Sequence, residues 1–163
     1  PVPGARVIPT RFTPFESAAD DALAVVADAE VVGVRADRAR ANGKEENVTG
    51  VDPATIASVY EFDWVDGSDA VLAGLGEDGA IVERTLAEDK ALTIGSLLVL
   101  ETPNGKSLTL EVRGIYEAPP FWEMLGNDCI PAAAFDAAFQ DPRNLYTFIS
   151  TPGGATPTCS AAT

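Results

Sequence analysis

The sequence has no histidine, and this absence excludes several kinds of site at once. Its 163 residues include two cysteines, one methionine and no imidazole. A Ser-His-Asp or Cys-His nucleophile, a histidine general base and a zinc site with histidine ligands all need the missing side chain. Two cysteines are too few for a thiolate metal cluster. We therefore predict no metal site and no cofactor.

Positive charge is also scarce. The chain has 11 basic against 25 acidic residues, a formal net charge of −14. Because phosphate binding needs a surplus of lysine and arginine, nucleic acid is a poor partner, and anionic lipid is disfavoured for the same reason. We interpret the acidity as a solvated, self-repelling surface; a specific cation-binding role is the alternative.

Long apolar runs are absent as well. No window approaches 18 consecutive apolar residues, and no basic segment followed by an apolar one opens the chain. Hydrophobic residues still make up 46% of the composition, enough to form the core of one domain or of two small packed ones. Because the chain begins with Pro1, we expect it to be a piece of a longer protein.

The middle of the chain, residues 48–120, predicts a compact β-rich unit. Its plainest part is a hairpin of residues 97–102 and 107–116, in which Asn104-Gly105 supplies the positive φ angles of a tight turn. Alternation predicts that one face of the second strand carries Leu108, Leu110, Val112 and Tyr116. A short strand at 80–82 and a helix at 83–90 precede the hairpin.

Helix-strand units are predicted on both sides of this middle part. Thr13 to Glu16 matches a capping box with proline at the first helical position, which predicts a helix of about 14 residues. A strand at 30–35 and a charged turn or hairpin around Asn42-Gly43 follow. On the other side we predict a strand at 129–131, a helix at 132–140 and a final strand at 145–150.

A candidate partner-binding segment lies at residues 117–128, EAPPFWEMLGND. Aromatic and flexible apolar side chains are unusual in a connecting loop, and they suit either a partner-contacting surface or the cover of a core. The candidate contact residues are Phe121, Trp122, Met124 and Leu125.

The two cysteines, Cys129 and Cys159, are a candidate disulfide. A bridge would close a loop of about 30 residues and stabilise the fold by roughly 3 to 4 kcal/mol. Two free or buried thiols are the alternative.

Five short motifs occur in a fixed order along the middle of the chain. They are Gly50-Val51-Asp52-Pro53, Val65-Asp66-Gly67, Ala80-Ile81-Val82 with Leu86-Ala87, residues 92–97 (LTIGSL) and residues 110–115 (LEVRGI). As an ordered set they resemble the periplasmic core domain of MacB-like and FtsX-like ABC transporter permeases. The departures, such as Ser68 in place of arginine and Ser96 in place of aspartate, fall in turns. The resemblance covers residues 13–150.

The resemblance implies an α+β fold, with a porter-like α/β layer formed by residues 1–47 and 121–163 and an inserted β-rich, Sabre-like lobe at residues 48–120. It also implies a non-catalytic extracytoplasmic domain held between transmembrane helices of the same parent chain. A separate ATPase subunit or domain would hydrolyse ATP, and the domain would contact an extracytoplasmic partner protein or substrate. That location favours the bridge between Cys129 and Cys159.

Two other functions stay open. A freestanding secreted module that binds a cation or peptide is the main alternative. The acidic loop at residues 66–69 invites a calcium site, but its spacing does not fit an EF-hand. An acidic hydrolase using paired carboxylates such as Asp63 and Asp66 is the least favoured, because such pairs occur by chance in so acidic a chain.

Overall fold

The structure is a computed structural model that describes residues 5–8, 15–16, 30–120, 124–140 and 142–150. The described residues form one mixed sheet and a few short helices, which confirms the α+β class. The strands are β1 (Ala5–Ile8), β2 (Phe15–Glu16), β3 (Glu30–Ala41), β4 (Lys44–Val51), β5 (Asp63–Asp66), β6 (Gly79–Glu83), β7 (Leu97–Glu101), β8 (Ser107–Glu117), β9 (Asp128–Pro131) and β10 (Arg143–Ser150). The helices are α1 (Ala70–Ala73), α2 (Arg84–Asp89) and α3 (Ala132–Ala138), with a 3₁₀ turn at Ile56–Ser58.

Part of the sheet closes on itself. Following the hydrogen bonds from β3 leads to β4, β9, β6, β8 and β7, and β7 pairs back with β3. The closing contact is short, at Arg40 with Glu101 and Ala41 with Leu100. We call this ring of strands the barrel. Closure removes free sheet edges, which otherwise favour pairing with other chains.

Strand β3 extends beyond the barrel and joins it to a second group of strands. Its residues 30–35 pair with β10, whereas its residues 35–41 pair with β4. Strands β1 and β2 also pair with β10. We call β1, β2, β10 and residues 30–35 the terminal sheet. Through β3, the terminal sheet and the barrel form one hydrogen-bonded body.

The inside of the barrel is filled mainly by small and branched aliphatic side chains. Every strand of the ring contributes to this barrel core, and the residues packed there from the strands are Ala39, Ala41, Val48, Ala80, Val82, Leu98, Leu100, Leu110, Val112, Ile115 and Ile130. Phe135 on helix α3 and Phe139 directly after it add two rings, which stack at 4.1 Å as their i, i+4 spacing predicts. Gly50 leaves room for Phe135, because a Cβ at Gly50 would lie 2.8 Å from that side chain.

A second core lies on the other face of the barrel wall and extends to the terminal sheet. It contains Ile81 and Cys129, which alternate with residues of the barrel core along β6 and β9. Aromatic rings dominate this outer core: the ring of Phe62 contacts those of Tyr60, Trp64 and Tyr116, with centroid distances of 4.9 to 5.5 Å. The 3₁₀ turn and α1 cover these rings with Ile56 and Leu72.

The hairpin around Asn42-Gly43 is present and longer than predicted. Asn42 and Gly43 have φ angles of 51° and 85°, as a two-residue hairpin turn requires. Residues 36–41 and 44–47, expected to form a charged turn or hairpin, are paired strands, so the hairpin is confirmed. The sequence left both open because exposed strand residues are as polar as loop residues.

Two predictions about the second hairpin need correction. The hairpin is confirmed, but only Gly105 has a positive φ, and Asn104 instead accepts from Thr102 Oγ1. Tyr116 does not share a face with Leu110, since it belongs to the outer core and Leu110 to the barrel core. The pairing of β6 with β8 shifts between Ala80 and Ile81, and this irregularity reverses the alternation.

Helix predictions near the start of the chain also differ from the structure. Phe15–Glu16 is a strand paired with β10, so the predicted capping box is wrong at these residues; residues 17–29 of that helix lie outside the described residues. Asp52-Pro53 also matches an N-cap followed by proline and predicts a helix over residues 53–60. Asp52 Oδ1 does accept from Ala54 N at 3.0 Å, but only the 3₁₀ turn forms there.

The division into residues 1–47 with 121–163 and residues 48–120 stays a prediction. Strands from both parts are hydrogen-bonded within one sheet. The β3–β4 hairpin crosses the boundary after residue 47, and β9 lies between β4 and β6.

Candidate functional site

The candidate partner-binding segment is tied firmly to the barrel at its far end. Gly126 N donates to Thr49 Oγ1 at 2.7 Å, and Gly126 O accepts from the Tyr116 hydroxyl at 2.7 Å. Asn127 O accepts from Glu83 N at 2.8 Å. A Cβ on Gly126 would lie 2.2 Å from Asn47 O, so only glycine fits this close approach.

The four predicted contact residues differ in their burial and in whether the structure describes them. Phe121 and Trp122 lie outside the described residues. Met124 is half-buried and packs against the outer core, and Leu125 is fully buried within it. In the free domain Leu125 therefore helps cover a core, which was the alternative interpretation. Contact with a partner through this segment stays a prediction.

The candidate disulfide is described at one end only. Cys129 is a buried free cysteine on β9, with its Sγ 4.0 Å from the Tyr116 hydroxyl. Cys159 lies outside the described residues, so the pairing stays a prediction.

Buried acidic groups in the outer core are held in their neutral forms. Burial, then the nearby Asp128 carboxylate, raises the pKa of the Cys129 thiol well above its usual range. Burial also raises the pKa of Tyr60 to about 12 and the pKa of Tyr116 well above its ordinary value. A thiol or phenol kept protonated is a poor nucleophile, so these groups do not form an activated site.

An exposed apolar surface that the sequence reasoning missed lies on the outside of β7. Leu97 and Val99 are exposed there, Leu97 by 65% of its surface, and Ile94, in the turn just before β7, is exposed as well. Leu98 and Leu100, which alternate with Leu97 and Val99 along the strand, belong to the barrel core. A run of four apolar residues in a strand whose neighbour β8 alternates was the indication available in the sequence. We call Ile94, Leu97 and Val99 the β7 surface.

A groove of about 640 Å³ lies beside the seam where β7 meets β3. Its lining mixes charges of both signs: Arg38 pairs with Glu45 at 3.1 Å, and Arg40 and Glu101 lie opposite each other across the seam. The groove is open and polar, unlike the enclosed apolar pockets that hold small-molecule ligands.

Three charged side chains meet at one end of the barrel. Glu46 and Asp128 share the inward side of their strands with Val48 and Ile130, and Lys90 follows α2, which packs over that end. Lys90 Nζ lies 3.6 Å from Glu46 Oε1. Burial, then Glu46, raises the pKa of Asp128 to about 8, and Lys90 opposes this rise.

The described residues do not assemble a catalytic or metal-binding constellation. No group of three or more Cys, Asp or Glu side chains in them is placed to hold a metal ion. Asp63 and Asp66 are exposed at the ends of β5, and Asp69 accepts from Trp64 Nε1 at 2.7 Å. None of the helices in the described residues has the length and apolar character that crossing a membrane requires.

Comparison with known proteins identifies the fold. No protein-family model and no curated protein matches the sequence. The extracellular domain of the noncanonical ABC-type transporter YknZ from Gram-positive bacteria is similar with a TM-score of 0.60 and 17% identity, covering 91% of this chain and 82% of that one. The periplasmic region of MacB from Actinobacillus actinomycetemcomitans has a TM-score of 0.61 and 11% identity, covering 91% and 71%.

A third solved structure is similar to this chain to the same degree. A domain from Porphyromonas gingivalis that is assigned to a permease protein has a TM-score of 0.61 and 12% identity, covering 94% of this chain and 76% of that one. The chain therefore has the fold of these MacB-like permease domains, and the resemblance predicted from the five motifs is confirmed at the level of the fold.

Proposed function

We propose that this chain is a non-catalytic extracytoplasmic domain of an ABC transporter permease. In this proposal it couples ATP hydrolysis by a separate cytoplasmic subunit or domain to export, lipoprotein handling or signalling. The observation that carries the proposal is a likeness over more than nine-tenths of the chain to the extracellular domain of one ABC-type transporter and the periplasmic region of MacB.

The chain path supports an insertion between membrane segments. Ala5 on β1 lies opposite Ser150 on β10, so the described chain enters and leaves the fold at neighbouring positions. A domain held by two transmembrane helices must receive and return the chain in this way. Proximity of the two ends is common among domains, so it is a necessary condition of the proposal.

The single hydrogen-bonded body supports the transmission of motion. A displacement applied at β1 and β10 acts on β3, which continues as a wall of the barrel. The candidate contact segment is fixed to the same barrel through Gly126 and Asn127. A partner or substrate bound at the segment or at the β7 surface would thus be moved together with the terminal sheet.

An epitope inserted at the exposed Asn42-Gly43 turn of the full-length protein tests the location. No atom lies within 4 Å of a Cβ added at Gly43, so the turn can accept an insertion. We expect to find the tagged protein in the membrane fraction. In cells whose wall or outer membrane has been removed but whose inner membrane is intact, we expect an antibody to bind the epitope. A tagged cytoplasmic ATPase subunit is the control, reached only after permeabilisation.

Two results would contradict the proposal. Recovery of the tagged protein in the medium would show the freestanding secreted module instead. Reaction of the epitope only after permeabilisation would place the domain in the cytoplasm.

A further inference from the structure

The carboxyl group of Asp128 lies in an unusual environment for an aspartate. Its side chain is fully buried at the first position of β9, and neither oxygen accepts a hydrogen bond from the residues that the structure describes. An ionised carboxylate in such a place loses its hydration without compensation, whereas a protonated one loses far less.

The charged groups that act on the Asp128 carboxyl electrostatically come from two other elements. Glu46, on β4, is 8% exposed, and its Oε1 lacks a hydrogen bond within the described chain. Lys90, directly after α2, has a side chain only 9% exposed, and its Nζ lies 3.6 Å from Glu46 Oε1. The same Nζ donates to Ala41 O, the last residue of β3, at 2.9 Å. Lys90 therefore fastens the end of α2 to β3 and β4.

The remaining charged groups around Asp128 are already engaged or lie on the outer side. On β6, Glu83 accepts from Thr85 N at 2.8 Å as the N-cap of α2. In the β3–β4 turn, Lys44 lies 3.6 Å from Glu46 and 3.5 Å from Asp89. On β9, Cys129 belongs to the outer core. From β7 and β8, the side chains described in the barrel core are aliphatic.

We infer that Glu46, Lys90 and Asp128 form a proton-binding latch, in which a proton held on Asp128 keeps α2 closed over the end of the barrel. With Asp128 protonated, Lys90 faces one carboxylate, Glu46, and the buried charges balance. With Asp128 ionised, the buried Lys90 ammonium faces two carboxylates in a site of low polarity, and these two carboxylates repel each other; Lys44, at the same distance from Glu46, is largely exposed and screened by solvent. This inference concerns the chain's own fold and does not depend on the proposed function.

The test compares thermal unfolding of the wild-type chain with Asp128→Asn between pH 5 and pH 7.5. Asparagine has the shape of the protonated acid and cannot ionise. We expect the melting temperature of Asp128→Asn, relative to the wild type, to rise by about 8 °C across this range. Asp66→Asn, at an exposed position, is the matched control and should follow the wild type.

Glu46→Gln tests whether the three residues act together. Since the Glu46 carboxylate contributes to holding the proton on Asp128, its removal should move the pH dependence to lower pH. Amide hydrogen exchange in residues 84–90 should also quicken with rising pH in the wild type, beyond the intrinsic effect of pH, and not in Asp128→Asn.

Parallel pH profiles of the wild type and Asp128→Asn would overturn the latch. If Asp128→Asn does not fold, titration of aspartate side-chain carbons by NMR in the wild type decides the matter. One aspartate that titrates near pH 8 supports the latch. Titration of every aspartate below about pH 5 contradicts it.

Discussion

The barrel core and the outer core are packed in different ways, although strands β6 and β9 contribute to both. The barrel core is mainly aliphatic with one stacked pair of phenylalanine rings, and charged side chains enter it at the end under α2. The outer core is aromatic, and its polar groups, the thiol of Cys129 and the hydroxyl of Tyr116, are neutral. We therefore expect the response to pH to come from the barrel, whereas the outer core packs between the barrel and the terminal sheet.

The largest expected loss of stability comes from removing a buried ring from either core, and these substitutions test whether the two cores unfold together. Phe135→Ala removes a ring from the barrel core and Phe148→Ala one from the outer core, and both rings are buried. Each variant should lose about 4 kcal/mol, from lost burial and the cavity left behind. Calorimetry should show a single transition at lower temperature in both cases. A separate early transition in Phe148→Ala alone would show that the terminal sheet unfolds independently.

The pH dependence should be the next largest effect, and it should come from the barrel. The folded-state pKa of Asp128, about 8, lies above the ordinary value of 3.8. The folded state therefore holds a proton that the unfolded state releases, and stability falls as pH rises between these two values. From pH 5 to pH 7.5 the loss should be ~3 kcal/mol relative to Asp128→Asn, measured by urea unfolding. Stability that rises equally in both proteins would contradict this assignment.

Substitution of two glycines compares a tightly packed position, Gly126, with an open turn, Gly105. Gly126→Ala should cost about 2 to 3 kcal/mol, because its Cβ would collide with Asn47 O. Gly105→Ala should cost only about 1 kcal/mol, because its φ of 80° is strained for alanine but nothing lies within 4 Å of the Cβ. Equal losses in chemical denaturation would mean that the candidate contact segment is not anchored at Gly126.

If the Trp122 side chain contacts a partner and does not pack in a core, Trp122→Ala should lower the free energy of unfolding by less than about 1 kcal/mol, the smallest of these effects. The full-length permease with this substitution should bind its partner more weakly, as measured by co-purification. Ser107→Ala, at an exposed position on the barrel, is the control. A large fall in melting temperature with unchanged partner binding would contradict this role.

Local features of the fold were predictable from the sequence. The Asn42-Gly43 hairpin, the stacked Phe135 and Phe139, and α2 after β6 each depend on residues close together in the chain. The ordered motifs then led to the fold that the solved structures share.

Long-range features were not predictable in the same way. The barrel closes where Ala41 pairs with Leu100, and β4 pairs in parallel with β9 about 80 residues later, contacts that no local pattern specifies. Asp128 follows Gly126-Asn127, a pair typical of a turn, so its burial depends on the tertiary fold. The exposed β7 surface was hidden because an apolar run favours a strand buried on both faces.

We infer that barrel and terminal sheet move as one body because β3 belongs to both, and amide hydrogen exchange along residues 30–41 is the sharpest test. We expect one common opening free energy for the protected amides of the whole strand, equal to that of global unfolding. Faster, separate exchange of residues 30–35 would show that the two groups of strands open independently, and the transmission of motion through β3 would be refuted.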